Sequence, residues 1–414
     1  MATPIRVVIT GLGVVAPNGI GKDAFWSSIL ECRSGIKTIK SFDATGYLSR
    51  IAGEVQDFNP LVHVGPHINT KRIARQTQMA LAAAYEALKD ASLTEYRKDD
   101  QPFPLILGVG SIAIEVVAQI HDRLLAHGPA RMHAHLAQAS HPHHAASVLA
   151  QYIPRITQAT TTGSACTAGI DAIAATADLI RRGKAEIGMC GATDAPINTL
   201  TYSAMAAGGL LSMRNDTPGK ACRPFDLDRD SGVLSEGSGI LILESLEHAR
   251  RRGVRPYLEI TGFATRVDPD LAQPGSGLED TMRMALANAG IRTESVDYIS
   301  AHGPGHPLID RIETLMIKKV FGPLAYRTPV TSIKGVIGSP LAVAGPLQVI
   351  ASSLGMRNGI LTPTTNLDKP DPACDLDYVP WKARRIDAKV VLINSHGLGG
   401  NNSTLIVEQP PGPL

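Results

Sequence analysis

Short apolar runs alternate along this chain with stretches whose apolar residues recur at helical spacing. Runs at 6–10, 104–110, 158–165, 185–194 and 239–244 read as strands, and so do 257–262, 296–301, 328–334, the segment from Lys389 and 403–408. Helical spacing fills the intervals at 22–32, 69–91, after Cys166, at 245–252, at 278–290, over Asp310, Glu313 and Lys318, and from Ala344. In the second of these, Leu81, Ala84, Tyr85 and Leu88 fall at i, i+3, i+4 and i+7 and give one apolar face. Strands alternating with helices predict an α/β fold. Gly237-Ser238-Gly239-Ile240-Leu241-Ile242-Leu243-Glu244 also resembles Asn402-Ser403-Thr404-Leu405-Ile406-Val407-Glu408. The pattern therefore reads as two similar halves, 1–255 and 256–414, although one short pair suggests a duplication without establishing it.

Two stretches invite other readings. Gly11-Leu12-Gly13-Val14-Val15-Ala16 imitates a dinucleotide-binding fingerprint. Pro17-Asn18-Gly19 breaks the chain where the phosphate-binding helix would begin, and no ribose-binding acidic residue follows, so the run reads as a tight glycine turn after the first strand. His127, His133, His135, His141, His143 and His144 crowd one segment, but irregularly and without acidic or Cys neighbours. A polar surface or interface helix is the reading there, ahead of a metal site.

Composition narrows the function classes. The 414 residues are 44% hydrophobic with a net charge of +2, and no basic block points to nucleic acid. No apolar run reaches membrane-spanning length. Met1-Ala2-Thr3-Pro4-Ile5-Arg6 lacks the layout of a signal peptide, and the five scattered cysteines form no disulfide framework. A cytoplasmic protein with reduced thiols is expected.

Three strand-to-loop junctions carry candidate chemistry: Cys166, His302 and Lys334. Cys166 lies in Thr162-Gly163-Ser164-Ala165-Cys166-Thr167-Ala168-Gly169, at the start of a helix, where the dipole favours a thiolate. A strand, a sharp turn and a helix around a nucleophile follow the logic of a nucleophile elbow. His302 opens His302-Gly303-Pro304-Gly305-His306, and the terminal Gly397-Leu398-Gly399-Gly400 run offers backbone N–H groups to an oxyanion. Taken singly, each has a plain alternative: an inert buried thiol, a satisfied histidine, a solvated lysine, an ordinary turn.

Together these stretches resemble a β-ketoacyl-acyl carrier protein synthase of the elongating type, in the thiolase superfamily. The resemblance runs from Val7-Val8-Ile9-Thr10-Gly11-Leu12-Gly13 to Gly399-Gly400-Asn401-Asn402. It includes Ser164-Ala165-Cys166, Arg223-Pro224-Phe225-Asp226, Arg229-Asp230, Ser235-Glu236-Gly237, His302-Gly303, Asp310, Glu313 and Lys334. It implies a thiolase-like fold, five-layered αβαβα from two similar halves, and a homodimer or a heterodimer with a related subunit. It implies a partner, an acyl carrier protein bearing acyl and malonyl groups, and a decarboxylative condensation without metal or redox cofactor. Cys166 would be the nucleophile, with its own N–H and that of Leu398 as the oxyanion hole. His302 would polarise the malonyl thioester, and Lys334 would hold charge and order that half-site. Specialised lipid or polyketide synthesis is the expected setting. Acyl transfer without decarboxylation and a chain-length-setting partner subunit are the alternatives, and the presence of Cys166 argues against the last.

The sequence departs from the family in one cluster. Gly338-Ser339 stands where a Gly-His pair is usual, His302-Gly303-Pro304-Gly305-His306 lacks two hydroxyls, Gln348 replaces a Glu, and His396-Gly397-Leu398 replaces Phe-Gly-Phe. Self-acylation is expected to survive these changes, with malonyl decarboxylation slowed or handled differently. His396 or His306 is expected to supply the missing imidazole; Ser339 with a water is the plainer substitute. Apolar residues near Ile112 and Ile114 are candidates for the acyl pocket.

Overall fold

A computed structural model of the chain describes residues 4–410 except 67, 95–100 and 271. The opening Met1-Ala2-Thr3 lie outside the described residues. Ten principal strands form one sheet: β1 (Val7–Ala16), β2 (Phe103–Gly108), β3 (Ile156–Thr162), β4 (Ile187–Asp194), β5 (Gly237–Ser245), β6 (Glu259–Val267), β7 (Tyr298–Ser300), β8 (Val330–Thr331), β9 (Val390–His396) and β10 (Asn401–Glu408). Their spatial order is β8-β7-β9-β10-β6-β1-β5-β4-β2-β3. Counted from the short β1–β6 pairing of Val7 with Ile260 and Val8 with Glu259, each set of five strands runs first, fifth, fourth, second, third. The two sets thus repeat one topology, and the sequence pair at 237–244 and 402–408 is the fifth strand of each.

Most strands are buried on both faces because helices cover both; the edge strand β3 is largely exposed. Helix α1 (Arg75–Asp90) packs on β1 and β5, while α3 (Leu278–Ala289) packs on β6 and β10 and is itself flanked by α4 (Pro307–Phe321). Between the two sets of strands lie α2 (Ala168–Arg181) and α5 (Ala344–Asn358). Every residue of α5 from Ala344 to Met356 is buried, as a helix enclosed on all sides requires. Helix, sheet, helix, sheet, helix are the five layers the resemblance implies.

The first glycine run is not a turn. Strand β1 passes through Gly11, Gly13 and Ala16, paired to β5 from Val7 to Val15 with one register shift between Ile9 and Gly11. The glycines serve packing: a Cβ at Gly11 would stand 2.4 Å from Ala87 O and 2.8 Å from Ala91 Cβ. On the matching strand, a Cβ at Gly262 would stand 2.3 Å from Ala285 O and 2.8 Å from Ala289 Cβ. The same glycine-against-alanine approach, at i and i+4 of the outer helix, therefore recurs in both halves. The strand expected over 328–334 shrinks to Val330–Thr331, and Lys334 instead opens a one-turn helix, Lys334–Ile337. Ser332 Oγ accepts the Lys334 N–H at 3.3 Å, a local bond that competes with the ladder. In the histidine-rich segment, His127, His133 and His141 are exposed, but His144 is buried in the helix His144–Tyr152. No helix among the described residues is long and apolar enough to cross a membrane.

A Cβ at Gly13 would lie 1.8 Å from Ala83 O, which no rotamer change relieves. Gly13→Ala is expected to cost about 3 kcal/mol by forcing α1 off the sheet. A fall in the denaturant midpoint with an unchanged slope checks this.

Candidate active site

The chain leaves β3 at Thr162 and turns sharply before α2. Ala165 has φ +54°, the left-handed region that a residue with a Cβ enters only at a cost. A single 3₁₀ turn, Ala165–Thr167, then places Cys166 at the head of α2. The turn is tied down on its far side: Asp171 accepts from Ser164 Oγ, from Thr167 Oγ1 at 3.2 Å and from Ser403 Oγ at 2.6 Å. Ser403 belongs to β10, so a hydrogen bond from the second half helps fix the first half's Cys166 turn.

The β9–β10 connection supplies the opposite wall. Ser395 Oγ donates to Cys166 O at 3.2 Å. A Cβ on Gly397 would stand 3.2–3.3 Å from Ser164 O, Ala165 Cβ and Cys166 N, so the close approach of the two turns needs a small residue there. The N–H groups of Leu398 and of Cys166 itself then reach the sulfur. Burial pushes the thiol pKa up; the Lys334 charge and the Leu398 N–H oppose that rise.

His302 follows β7, and its loop is held from α4. Glu313 accepts the N–H groups of His302 at 2.9 Å and Gly303 at 2.8 Å, while Asp310 accepts those of Gly305 at 3.1 Å and Phe225 at 2.8 Å. Lys334 Nζ donates to the His302 carbonyl and lies 3.0 Å from its Nδ1. The His396 backbone N–H also donates to that Nδ1, at 3.2 Å. With Nδ1 an acceptor, the neutral ring carries its proton on Nε2. Burial and then the Lys334 charge hold the His302 pKa well below the ordinary imidazole range, so the ring stays neutral and presents a donor. Lys334 is itself buried, and desolvation lowers its pKa to about 8.

Cys166, His302, His306, Ser339, His396 and Leu398 line one pocket with about 540 Å³ of empty space, its open mouth included. Lys334 joins them through His302. Gly399 does not: it is exposed, has φ +90° and serves the turn. Ile112 and Ile114 are likewise absent from the lining. Gln348 Nε2 sits among carbonyl oxygens of Ser300, Ala301 and Asn394 at 2.8–3.3 Å. An amide suits that setting, where a carboxylate would face three acceptors.

Two residues that matter here escaped the sequence reading. Asp268 and Asn402 stand behind His396: its Nδ1 lies 2.9 Å from Asn402 Oδ1, and Asn402 Nδ2 donates to Asp268 Oδ1 at 2.7 Å. Asn402 adjoins the glycine run and was visible in it. Its partnership with a residue 134 positions away had no local signal.

The chain belongs to the β-ketoacyl synthase family. The family profile "Beta-ketoacyl synthase, N-terminal domain" matches residues 5–249, and "Beta-ketoacyl synthase, C-terminal domain" matches 257–368. The chain is 37% identical over 418 residues to the tetracenomycin polyketide synthase ketoacyl synthase alpha subunit of Streptomyces glaucescens, covering 98% of this chain and 97% of that one. It is also 37% identical to 3-oxoacyl-[acyl-carrier-protein] synthase 2 of Synechocystis sp., over 97% of both chains. Among solved structures it matches a chain of a type II polyketide synthase acyl-carrier protein in complex with its ketosynthase bound to the hexaketide, with a TM-score of 0.88 and 32% identity over 98% of this chain and 100% of that one.

The buried Lys334 gives a pH prediction. Its folded pKa of about 8 lies below the unfolded value of 10.5, so the folded state holds fewer protons between the two. The cost of burying the charge is full below pH 8 and fades as pH rises toward 10.5. Relative to Lys334→Met, the wild type should gain up to about 3 kcal/mol in unfolding free energy over that interval. Denaturant titrations of both proteins at pH 7 and pH 10 check the sign.

Proposed function

We propose that the protein is a ketosynthase that forms a C–C bond by decarboxylative Claisen condensation. An acyl group passes from a carrier-protein thioester to Cys166, with the oxyanion held by the N–H groups of Cys166 and Leu398. A malonyl-carrier thioester then loses CO2, and its carbanion attacks the acyl carbonyl. His302 Nε2–H donates to the malonyl thioester oxygen as negative charge develops there, and Lys334 holds the His302 ring in its donor tautomer. The observation that carries this reading is the shared pocket of a thiol with two N–H groups at its sulfur and an imidazole whose Nδ1 is already filled.

The two sequence halves, 1–255 and 256–414, each bring part of this site: the nucleophile from one, His302, Lys334 and the Leu398 N–H from the other. Acyl carrier proteins are the proposed partners, with a second subunit completing a homodimer or a heterodimer. One relative is an alpha subunit of a polyketide synthase and another a 3-oxoacyl synthase, which supports specialised polyketide or lipid synthesis as the setting. A second reading, acyl transfer to another nucleophile without decarboxylation, is favoured by Ser339 and Gln348. Ser339 puts a hydroxyl on the pocket wall in place of the expected imidazole, and Gln348 puts an amide in place of a carboxylate on the carbonyls just before His302.

Sequential incubation separates the two. Acyl-carrier protein should raise the intact mass by one acyl group. Malonyl-carrier protein should then release CO2 and yield a chain longer by one malonyl-derived unit. Acylation followed by no CO2 contradicts condensation and selects the second reading. Cys166→Ala should abolish transfer altogether, and persistent transfer contradicts both.

A further inference from the structure

The pocket contains three imidazoles, and their tautomers assign them different work. His302 Nδ1 is filled by the His396 N–H and Lys334, so its other nitrogen carries the proton. His306 caps α4: its Nδ1 accepts the N–H groups of Leu308 at 3.2 Å and Ile309 at 3.4 Å. The neutral His306 ring therefore also presents Nε2–H. Neither offers a lone pair to a proton in the pocket.

His396 is the reverse case. Asn402 Nδ2 donates to Asp268 Oδ1 at 2.7 Å, Gly400 O at 3.0 Å and Arg266 O at 3.3 Å, which fixes the amide orientation. Asn402 Oδ1 must then be the atom facing His396 Nδ1 at 2.9 Å, and that nitrogen carries the proton. Asp268 is held in turn by the N–H groups of Gly275 at 2.9 Å and Gly277 at 2.7 Å, with its Oδ2 3.9 Å from His396 Nδ1. The neutral ring has a bare Nε2, for which no hydrogen-bond partner exists among the described residues. The ring is 5% exposed, lines the pocket with Cys166, and stands edge-on to His302 at 5.8 Å between centroids.

We propose that His396 is the general base of acyl loading, its Nε2 taking the proton of the Cys166 thiol as the sulfur attacks the carrier thioester. The inference rests on the reading above that Cys166 accepts an acyl group. The Cys166 Sγ–acyl bond forms and the carrier's C–S bond breaks. The departing carrier thiolate takes the proton back from Nε2, so His396 ends neutral. While the ring is charged, Asn402 Oδ1 holds its Nδ1–H and the Asp268 carboxylate lies behind, the logic of an acid–amide–imidazole relay. Burial makes the thiol reluctant to ionise unaided, which is why a base has work to do there.

The test is the rate of Cys166 acylation by an octanoyl-pantetheine thioester, followed by intact mass. His396→Ala is expected to acylate about 100-fold more slowly and to recover in part with free imidazole, because a small base enters the vacated space. His396→Gln, which keeps much of the bulk, is expected to be slow without rescue. Wild-type acylation rates in either folded variant overturn the proposal, whatever happens to later steps. Should neither variant fold, imidazole nitrogen NMR of the wild type decides: a neutral His396 protonated on Nε2 overturns it, and one protonated on Nδ1 upholds it. A wild-type protein that takes no acyl group removes the functional reading itself, and this inference with it.

Discussion

The contact between two turns, Ser164–Cys166 and Gly397–Leu398, is the constraint on which the rest depends. One turn ends the third strand of the first half and the other joins the last two strands of the second. Their backbones meet closely enough that a Cβ on Gly397 would stand 3.2–3.3 Å from Ser164 O, Ala165 Cβ and Cys166 N. The bonds from Ser395 to the Cys166 carbonyl and from Ser403 to Asp171 pin the same junction. The five layers hold these turns in register, and the glycine-against-alanine packing of both outer helices holds the layers. A buried sulfur therefore meets N–H groups from two distant parts of the chain without having to reorganise when it reacts.

The departures from the family form a chemically coherent set. Gln348 donates into a ring of carbonyl oxygens, a place where a negative charge would be unwelcome. Ser339 leaves the pocket wall with a hydroxyl in place of a ring, and its backbone stays fixed through pairing with Val233 and Ser235. His306 has become a helix cap. His396 stands against the buried Asn402 amide, whose Oδ1 a phenyl ring could not satisfy. On the proposed reading, Cys166 and His302 keep their family roles while the proton acceptor is His396, at the end of β9.

How much of this was legible in the sequence depended on the range of the interactions. The α/β alternation was readable because each strand and helix carries its own period, and the Cys166 turn was readable because the small residues are contiguous. Gly11 and Gly13 were misread as a turn: the residues that demand them, Ala83, Ala87 and Ala91, lie about seventy positions on. Lys334 was assigned to a strand end because β-branched neighbours mask the Ser332 bond that starts its helical turn. The choice between His306 and His396 could not be made from sequence at all. It turns on which ring nitrogen is already occupied, and Leu308, Asn402 and Asp268 decide that only in three dimensions.

Cys166 is proposed to react through its setting rather than its exposure, and the other four cysteines test that directly. Cys32 is the only described cysteine that is not buried, so chemistry governed by access alone would favour it. The decisive measurement is peptide mapping of the acyl group after brief incubation with acyl-carrier protein. The account predicts the acyl group on Cys166 alone. An acyl group on Cys32, or spread over several thiols, would contradict it.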